Sequence, residues 1–223
     1  MSKGFLYEMH LHTCDISRCG VSSAKEHVRA HYEKGFSGFV VTDHFFNGNC
    51  AIHQELDWET RVNAFCQGYE SAKAEAENLD FDVLFGFEYG YLGTDFLTYG
   101  IGKDFLLAHP DMLHWTPEYY FDRVHEAGGF IIHAHPFREA SYIAEIRLFT
   151  NYIDAVEVEN RANGDSTVAV NKKAYAYAKE HNFPMTKGSD IHDASKIHGG
   201  GMYFEQRPKD IFDLIEMIKT RQY

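Results

Sequence analysis

Five times along this chain an apolar run leads into His, Asp or Glu. Phe5-Leu6-Tyr7 precedes His10-Leu11-His12, and Phe39-Val40-Val41 precedes Asp43-His44. Val83-Leu84-Phe85 leads to Glu88, Phe130-Ile131-Ile132 to His133-Ala134-His135, and Phe183-Pro184-Met185 to Asp190-Ile191-His192. Short apolar runs of this kind read as buried strands. A polar residue at one strand end constrains little. The same arrangement repeated along a chain calls for a fold that gathers strand ends, which is a sheet or barrel with one polar rim. Imidazole and carboxylate together are the ligand set of zinc, manganese or iron. The pattern is that of a metal-dependent hydrolase.

Helical patterns separate the strands. Strands are expected at Phe5 to His12, Gly38 to Thr42, Phe81 to Glu88, Asp95 to Ile101, Phe130 to His133, Ala155 to Glu159 and Phe183 to Lys187. Ser22 or Ser23 caps a helix that ends near Gly35, with Glu26 completing a capping box. Leu56 to Leu79 is a long helical pattern rich in Ala and Glu. Pro117 to Ala127 begins with proline in its first turn. Helices near 165–181 and 209–220 separate and close the last strands. Gly199-Gly200-Gly201 reads as a flexible loop. Alternation of this kind predicts parallel β/α units. About seven steps, with no internal repeat and no linker rich in Pro, Gly or Ser, predict one α/β barrel domain over residues 1–223.

The formal net charge of −12 opposes a sequence-independent grip on long nucleic acid, which needs a basic surface. Small phosphorylated substrates remain compatible with it. No apolar run reaches the roughly 18 residues of a membrane span. Met1-Ser2-Lys3-Gly4 runs straight into a strand without the apolar core of a signal peptide, so a cytoplasmic protein is expected. The four cysteines contain no C-x-x-C pair and are expected as free thiols. Cys66 falls in a helical pattern and reads as core, while Cys14 and Cys19 stand close behind the first His pair. The oligomeric state is not readable.

Residues i and i+2 of a strand share a face. His10 and His12 therefore reach one point while Leu11 turns away, and Asp190 and His192 repeat the arrangement on a late strand. In order along the chain, Met9-His10-Leu11-His12-Thr13, Val41-Thr42-Asp43-His44, Gly86-Phe87-Glu88, Ala134-His135-Pro136 and Gly188-Ser189-Asp190-Ile191-His192 resemble the motifs of the PHP family, named for polymerase and histidinol phosphatase. The resemblance spans residues 5 to 193. It implies a distorted seven-stranded β/α barrel that holds two or three divalent metal ions, zinc, manganese or iron, and hydrolyses phosphate esters. It also implies roles. His10, His12, Glu88 and Asp190 hold a first metal. Glu88 bridges to a second, held also by His135 and by a residue near the next strand. His44 and His192 hold a third with help from the loop after His12.

Two places depart from the family pattern. The loop Cys14-Asp15-Ile16-Ser17-Arg18-Cys19-Gly20 offers Asp15 or Cys19 where the family often has Asp or His. Asp15 is nearer the His pair and is a hard ligand, so it takes the place in our assignment. Asp95 stands where the family often has a further His. His133 and His135 both could reach the site if their strand runs on, and the His-Pro signal favours His135. Asp43 is expected to orient a metal-bound imidazole. Catalysis is expected from Arg138, whose guanidinium follows His135-Pro136-Phe137 and suits phosphate, from the bridging Glu88, and from His192. Asn160, Arg161 and Asn163 could also line the site, and Lys187 is a weaker candidate. The remaining histidines, among them His27, His31, His53, His125, His181 and His198, read as ordinary surface or core residues. His109 and His114 sit in a loop with Pro110 and read mainly the same way.

The expected reaction is attack by a metal-activated water on a small phosphorylated substrate. A phosphodiesterase or exonuclease acting on nucleotides, or a protein-tyrosine phosphatase, would use the same site. An amidohydrolase also places an HxH pair on its first strand but usually bridges its metals with a lysine. A non-catalytic metal-binding accessory domain is the remaining alternative.

Overall fold

A computed structural model describes residues 4–162, 167–197 and 199–223. Asn163 and His198, and the first residues of the helix expected near 165, lie outside the described residues. Eight strands of the described residues form one sheet. They are β1 (Phe5–Glu8), β2 (Gly38–Val41), β3 (Asp82–Tyr91), β4 (Thr94–Tyr99), β5 (Phe130–Ala134), β6 (Ala155–Glu159), β7 (Met185–Lys187) and β8 (Met202–Phe204). Their order is β7-β6-β5-β4-β3-β2-β1-β8. Among the described residues six α-helices accompany them: α1 (Ala24–Glu33), α2 (Trp58–Ala76), α3 (Lys103–Ala108), α4 (Pro117–Glu126), α5 (Thr167–Glu180) and α6 (Ile211–Lys219).

The sheet is a nearly closed, mixed α/β barrel. β1, β2 and β3 pair in parallel, as do β5, β6 and β7. β4 runs antiparallel to both β3 and β5, because no helix intervenes between β3 and β4 and a two-residue turn reverses the chain. β4 therefore breaks the expected run of parallel units. At the other end, the expected Phe5–His12 strand is regular only to Glu8. Beyond it, His12 N–H donates to the Ile191 carbonyl at 2.9 Å and Ile191 N–H to the His10 carbonyl at 3.2 Å. This parallel bridge joins the end of β1 to the segment after β7 and closes the rim where the polar motifs stand.

β8 was not expected. It pairs antiparallel with β1, Leu6 opposite Tyr203. The last two glycines of the triplet before it, Gly200 and Gly201, are close-packed, where a flexible loop was expected. A Cβ on Gly201, which has φ +78°, would lie 2.1 Å from the Tyr7 carbonyl oxygen. Only glycine permits that contact.

Local signals set the helices. Ser23 caps α1 with Glu26 in a capping box, and Gly35 at φ +82° follows its last turn. Asp57, Thr116 and Asp210 cap α2, α4 and α6 through their side chains. Three apolar clusters hold the layers. Tyr7, Met9, Leu97, Tyr99, Phe130, Ile132 and Phe204 pack against Leu214, Ile215 and Ile218 of α6. Leu11, Phe39 and Val41 face α1 and α2. The largest cluster joins α2 and α4 to β3, β4 and β5. Burying each large apolar side chain contributes about 1.5–3 kcal/mol. These clusters support the rim, where charged groups are buried. No helix among the described residues is long and apolar enough to cross a membrane.

Candidate metal centre

The strand ends converge as their motifs suggest. His10 and His12 leave the end of β1 with Leu11 turned into the α1–α2 cluster. His44 follows β2, Glu88 lies within β3, Asp95 within β4, and His135 directly follows β5. Asp190 and His192 follow β7. His10, His12, Glu88, His135 and Asp190 are all at most 4% exposed.

Separations within the cluster are short and even. His10 Nε2 stands 3.0 Å from His12 Nε2. Asp190 Oδ1 is 3.5 Å from His10 Nε2 and 3.1 Å from His12 Nε2. Glu88 Oε1 is 3.3 Å from His10 Nε2 and 3.2 Å from His135 Nε2. Its Oε2 is 3.4 Å from His12 Nε2 and 2.6 Å from His44 Nδ1. His44 Nδ1 is close but not aligned for a hydrogen bond, and Glu88 Oε2 has no aligned donor among the described residues. Asp95 Oδ2 is 3.9 Å from His135 Nε2. Four overlapping triads keep their ligand atoms within 4.8 Å: His10/His12/Glu88, His10/His135/Asp190, Glu88/Asp95/His135 and His12/His44/His192.

The donor set fits a divalent cation. Bonds of about 2.0–2.2 Å place ligand atoms roughly 3.3–3.6 Å apart around a tetrahedral ion. Five of the six edges joining His10, His12, Glu88 and Asp190 run from 3.0 to 3.5 Å, with Glu88 turning Oε1 to His10 and Oε2 to His12. The imidazoles are also turned to offer lone pairs. His10 Nδ1 lies 2.9 Å from Glu157 Oε1, which takes its proton and leaves Nε2 as a ligand atom. His12 Nδ1 lies 3.3 Å from Ser17 Oγ, and Ser17 Oγ donates to Asp43 Oδ1 at 2.6 Å. Asp43 thus orients His12 through Ser17, and is itself fixed by Thr13 N–H and Thr13 Oγ1. His192 Nδ1 donates to the Asp190 carbonyl at 2.8 Å.

Charge reinforces the same picture. Burial works against ionisation of Glu88 and Asp190, yet His44 and His10 beside Glu88, and His10 and Arg138 beside Asp190, hold both carboxyls well below their ordinary range. Burial and neighbouring His44 push His12 down to about 3, which keeps it neutral. Burial and the nearby Glu88 raise Asp95 to about 6. Two candidate ligands have backbones in the left-handed region, His135 at φ +30° and Asp190 at φ +54°. Such strain costs about 1–3 kcal/mol per residue and persists only where surroundings enforce it. Glu157 Oε2 accepts from His135 N–H at 3.0 Å, and Arg138 Nη2 donates to Asp190 Oδ2 at 2.5 Å.

Several sequence assignments are corrected. Asp15 is exposed, and its Oδ2 accepts from the Ala24 N–H at 2.7 Å at the start of α1. A helix N-terminus attracts a carboxylate, and this one draws Asp15 away from the cluster. The thiol of Cys19 instead lines the cavity together with His44 and His192. Burial raises that thiol, but the two imidazoles outweigh it and bring it down to about 6. The strand of His133 and His135 does not run on. It stops at Ala134, and the positive φ of His135 swings that ring into the cluster, while the His133 ring packs tilted against Phe96 in the core. Arg161 and Lys187 are exposed beside Glu159, away from the cluster. His109 bonds the Phe105 carbonyl beside Trp115.

Two buried carboxylates were missed. Glu157 binds His10 Nδ1, His135 N–H and Asn160 Nδ2. Glu8 binds the N–H groups of Met9, His10 and Ser189 and the Ser189 hydroxyl, tying β1 to the segment after β7. The available signal was a Glu-x-His-x-His run for Glu8, and an acid flanked by Val156 and Val158 in the middle of β6 for Glu157. A cavity of about 450 Å³ opens over the cluster, lined by Cys19, His44, Asp95, Arg138, Asp190 and His192 among others. Gly188 lets the layers meet beneath it, since a Cβ there would lie 2.6 Å from both Glu157 Oε1 and His10 Cβ.

No protein-family model matches the sequence, and no curated protein does. Solved structures do match. A two-domain protein from Bacteroides vulgatus, containing a predicted PHP-like metal-dependent phosphoesterase, superposes with TM-score 0.72 at 16% identity. The match covers 98% of this chain but 63% of that one, so the chain spans under two thirds of the two-domain protein. An amidohydrolase from Chromobacterium violaceum, solved with sulfate and no metal, gives TM-score 0.61 at 15% identity over 95% of this chain and 96% of that one. A candidate metal-dependent phosphoesterase from Bifidobacterium adolescentis gives 0.57 at 16% identity, over 97% and 96%. The chain has the barrel fold shared by PHP-like phosphoesterases and amidohydrolases, with a cluster of metal-ligand type at its rim.

Proposed function

We propose that this chain is a metal-dependent phosphoesterase acting on a small phosphorylated substrate. The observation that carries the reading is the position of Glu88, whose two carboxylate oxygens face different partners, Oε1 towards His10 and His135 and Oε2 towards His12 and His44. A carboxylate so placed suits a bridge between cations. The donors suit two or three ions of the zinc, manganese or iron class: one at His10, His12, Glu88 and Asp190, a second at Glu88, Asp95 and His135, a third at His44 and His192 with His12 and Cys19 next to them. Bound there, such ions supply Lewis acidity and lower the pKa of coordinated water.

The chain's own groups supply the rest. Arg138 lines the cavity, placed by Asp190 and by Asn160 Oδ1 at 3.0 Å. Its charge is in position before a substrate arrives, which suits stabilisation of phosphate oxygens. Glu157, Ser17 and the Asp190 carbonyl fix which ring nitrogen of His10, His12 and His192 carries the proton. Low exposure of the cluster keeps those interactions strong. The bridging position holds Glu88 and not a lysine, which favours phosphate esters over the amide substrates of an amidohydrolase.

The test is turnover by the metal-reconstituted chain on phosphomonoesters, phosphodiesters and cyclic amides, alongside elemental analysis. Metal-dependent monoester hydrolysis, stopped by chelation, with two or three ions per chain, is the expected result. Hydrolysis confined to amides, or no bound metal after supplementation, overturns the reading.

A further inference from the structure

The outer half of the cavity is built differently from its metal-facing half. Leu92 and Gly93 form the turn between β3 and β4, both at positive φ, +50° and +83°. Two-residue turns of this kind favour Asn-Gly, because side chains branched near the backbone are strained there. Leu92 is also 65% exposed, so no core burial offsets the strain. Backbone strain at an exposed leucine points to a role for the side chain.

The tip is held firmly in place. Arg147 Nη1 donates to the Leu92 carbonyl at 3.0 Å. Asn47 Nδ2 donates to the Gly90 carbonyl at 2.7 Å, fixing the hairpin from its other side. A Cβ on Gly93 would lie 3.1 Å from Ile143 Cγ1, so the tip packs tightly on the segment that carries Tyr142. Leu92, Tyr91 and Tyr142 line the cavity together. Tyr142 is 65% exposed, and the Tyr91 ring is held edge-on by Phe149 with centroids 6.2 Å apart. Among the described lining residues, Arg138 is the one Lys or Arg side chain. The cavity, about 450 Å³, lies within the size range of small-molecule sites.

We propose that Leu92, with Tyr91 and Tyr142, forms the wall that selects the organic part of the substrate: a small, uncharged, apolar or aromatic group carrying a single phosphate. The proposal rests on the phosphoesterase reading for the phosphate end. One guanidinium beside the cluster matches one phosphate, and among the described residues that line the cavity there is no second Lys or Arg to pair with a carboxylate or further phosphate. A rigid aromatic and aliphatic wall recognises a ring or short hydrocarbon by burying it.

Phosphonates test this without the leaving-group chemistry that separates aryl from alkyl esters. The affinities of benzylphosphonate and methylphosphonate for the metal-loaded chain are measured by calorimetry, and as inhibition constants where turnover exists. The wild type should prefer benzylphosphonate by about tenfold or more, in the range of a few methylenes of apolar contact. Leu92→Gly, which suits the positive φ, should reduce that ratio about tenfold while its melting temperature holds or rises. Tyr142→Ala should also reduce the ratio. Equal affinities in the wild type, or a ratio preserved in both variants, overturns the wall. If no phosphate ester is turned over yet the preference and its loss in Leu92→Gly are both seen, the phosphoesterase reading fails and the wall stands. If neither phosphonate binds, both fail.

Discussion

Glu157→Gln tests the centre without touching a proposed ligand. Glu157 uses both oxygens as acceptors: Oε1 takes His10 Nδ1–H at 2.9 Å, and Oε2 takes His135 N–H at 3.0 Å and Asn160 Nδ2–H at 2.9 Å. Glutamine keeps the shape but has one acceptor oxygen and one donor nitrogen. With its oxygen towards His10, its NH2 meets the N–H of His135 and the amide of Asn160. Asn160 cannot simply turn over, because its Oδ1 already accepts from Arg138 and from Ala162 N–H. With the oxygen reversed, His10 must offer a lone pair from Nδ1, which puts its proton on Nε2, the atom facing His12 and Glu88. Either orientation leaves a buried group mispaired or a ligand atom blocked.

The first orientation costs about 1–3 kcal/mol of stability, or about 2–4 °C of melting temperature per kcal/mol in a chain of this size. The second costs about 10–100-fold in metal affinity or activity, equal to about 1.4–2.7 kcal/mol. Chelator competition reads metal affinity, and calorimetric melting of the metal-free and metal-loaded chain reads stability. A lower melting temperature with unchanged metal affinity means Gln keeps its oxygen on His10. Metal affinity lowered by tenfold or more means the tautomer has changed. Both quantities at wild-type values would refute the argument that Glu157 sets the His10 ring.

Further predictions separate the remaining assignments. Glu88→Gln, which removes the charge shared by two triads, should lower turnover by about a hundredfold or more and reduce bound metal on elemental analysis; near-normal values for both sink the bridging role. Cys19→Ser should lose the ion held by His44 and His192, read as one fewer metal per chain, whereas Asp15→Ala should keep the metal content and lower the melting temperature by the loss of a helix-terminal hydrogen bond, about 0.5–2 kcal/mol; the reverse pattern restores Asp15 as ligand. His125 is held above its ordinary value by its hydrogen bond to Asp154, against partial burial. Because the folded-state value is the higher one, this contribution is full below pH about 6.5 and fades as pH rises through the raised value. It is half-exposed and worth less than about 1 kcal/mol. His125→Gln should therefore lie below the wild type in melting temperature at pH 6 and converge with it at pH 9, and a constant gap across that range would count against the pair.

What could be read from the sequence depended on how local each signal was. Strand ends bearing His, Asp or Glu announce themselves within a few residues, so His10, His12, His44, Glu88, Asp190 and His192 needed only a fold that gathers rims. β8 gave no such signal. Met202-Tyr203-Phe204 is too short to register by pattern, and its place depends on β1, nearly two hundred residues earlier, and on a glycine that lets the two backbones touch. The turn of His135 into the cluster also depends on tertiary contact. Strand periodicity puts His133 and His135 on one face, and a φ of +30°, enforced by Glu157, separates them.

The loop after His12 shows why sequence proximity and ligand hardness were poor guides. Asp15 is closer to the His pair and the harder ligand, and both facts argued for it. The decision lay with other forces. The free N–H groups at the start of α1 compete for a nearby carboxylate, and Asp15 satisfies Ala24. The chain then doubles back: Gly20 N–H donates to the Ser17 carbonyl, Arg18 N–H to the Asn49 carbonyl, and Ser17 bridges to Cys50. Those bonds carry Cys19 to the side of His44 and His192, although four more residues separate it from the His pair. A thiolate between two imidazoles favours a softer ion than the oxygen-rich group of Glu88, Asp95 and His135. One centre would then contain unlike sites, and limiting zinc should fill the Cys19 side first while manganese fills the Asp95 side. Replacing Cys19 by serine should abolish that order in metal titrations, and an order unchanged by the substitution would return the third site to a set without the thiol.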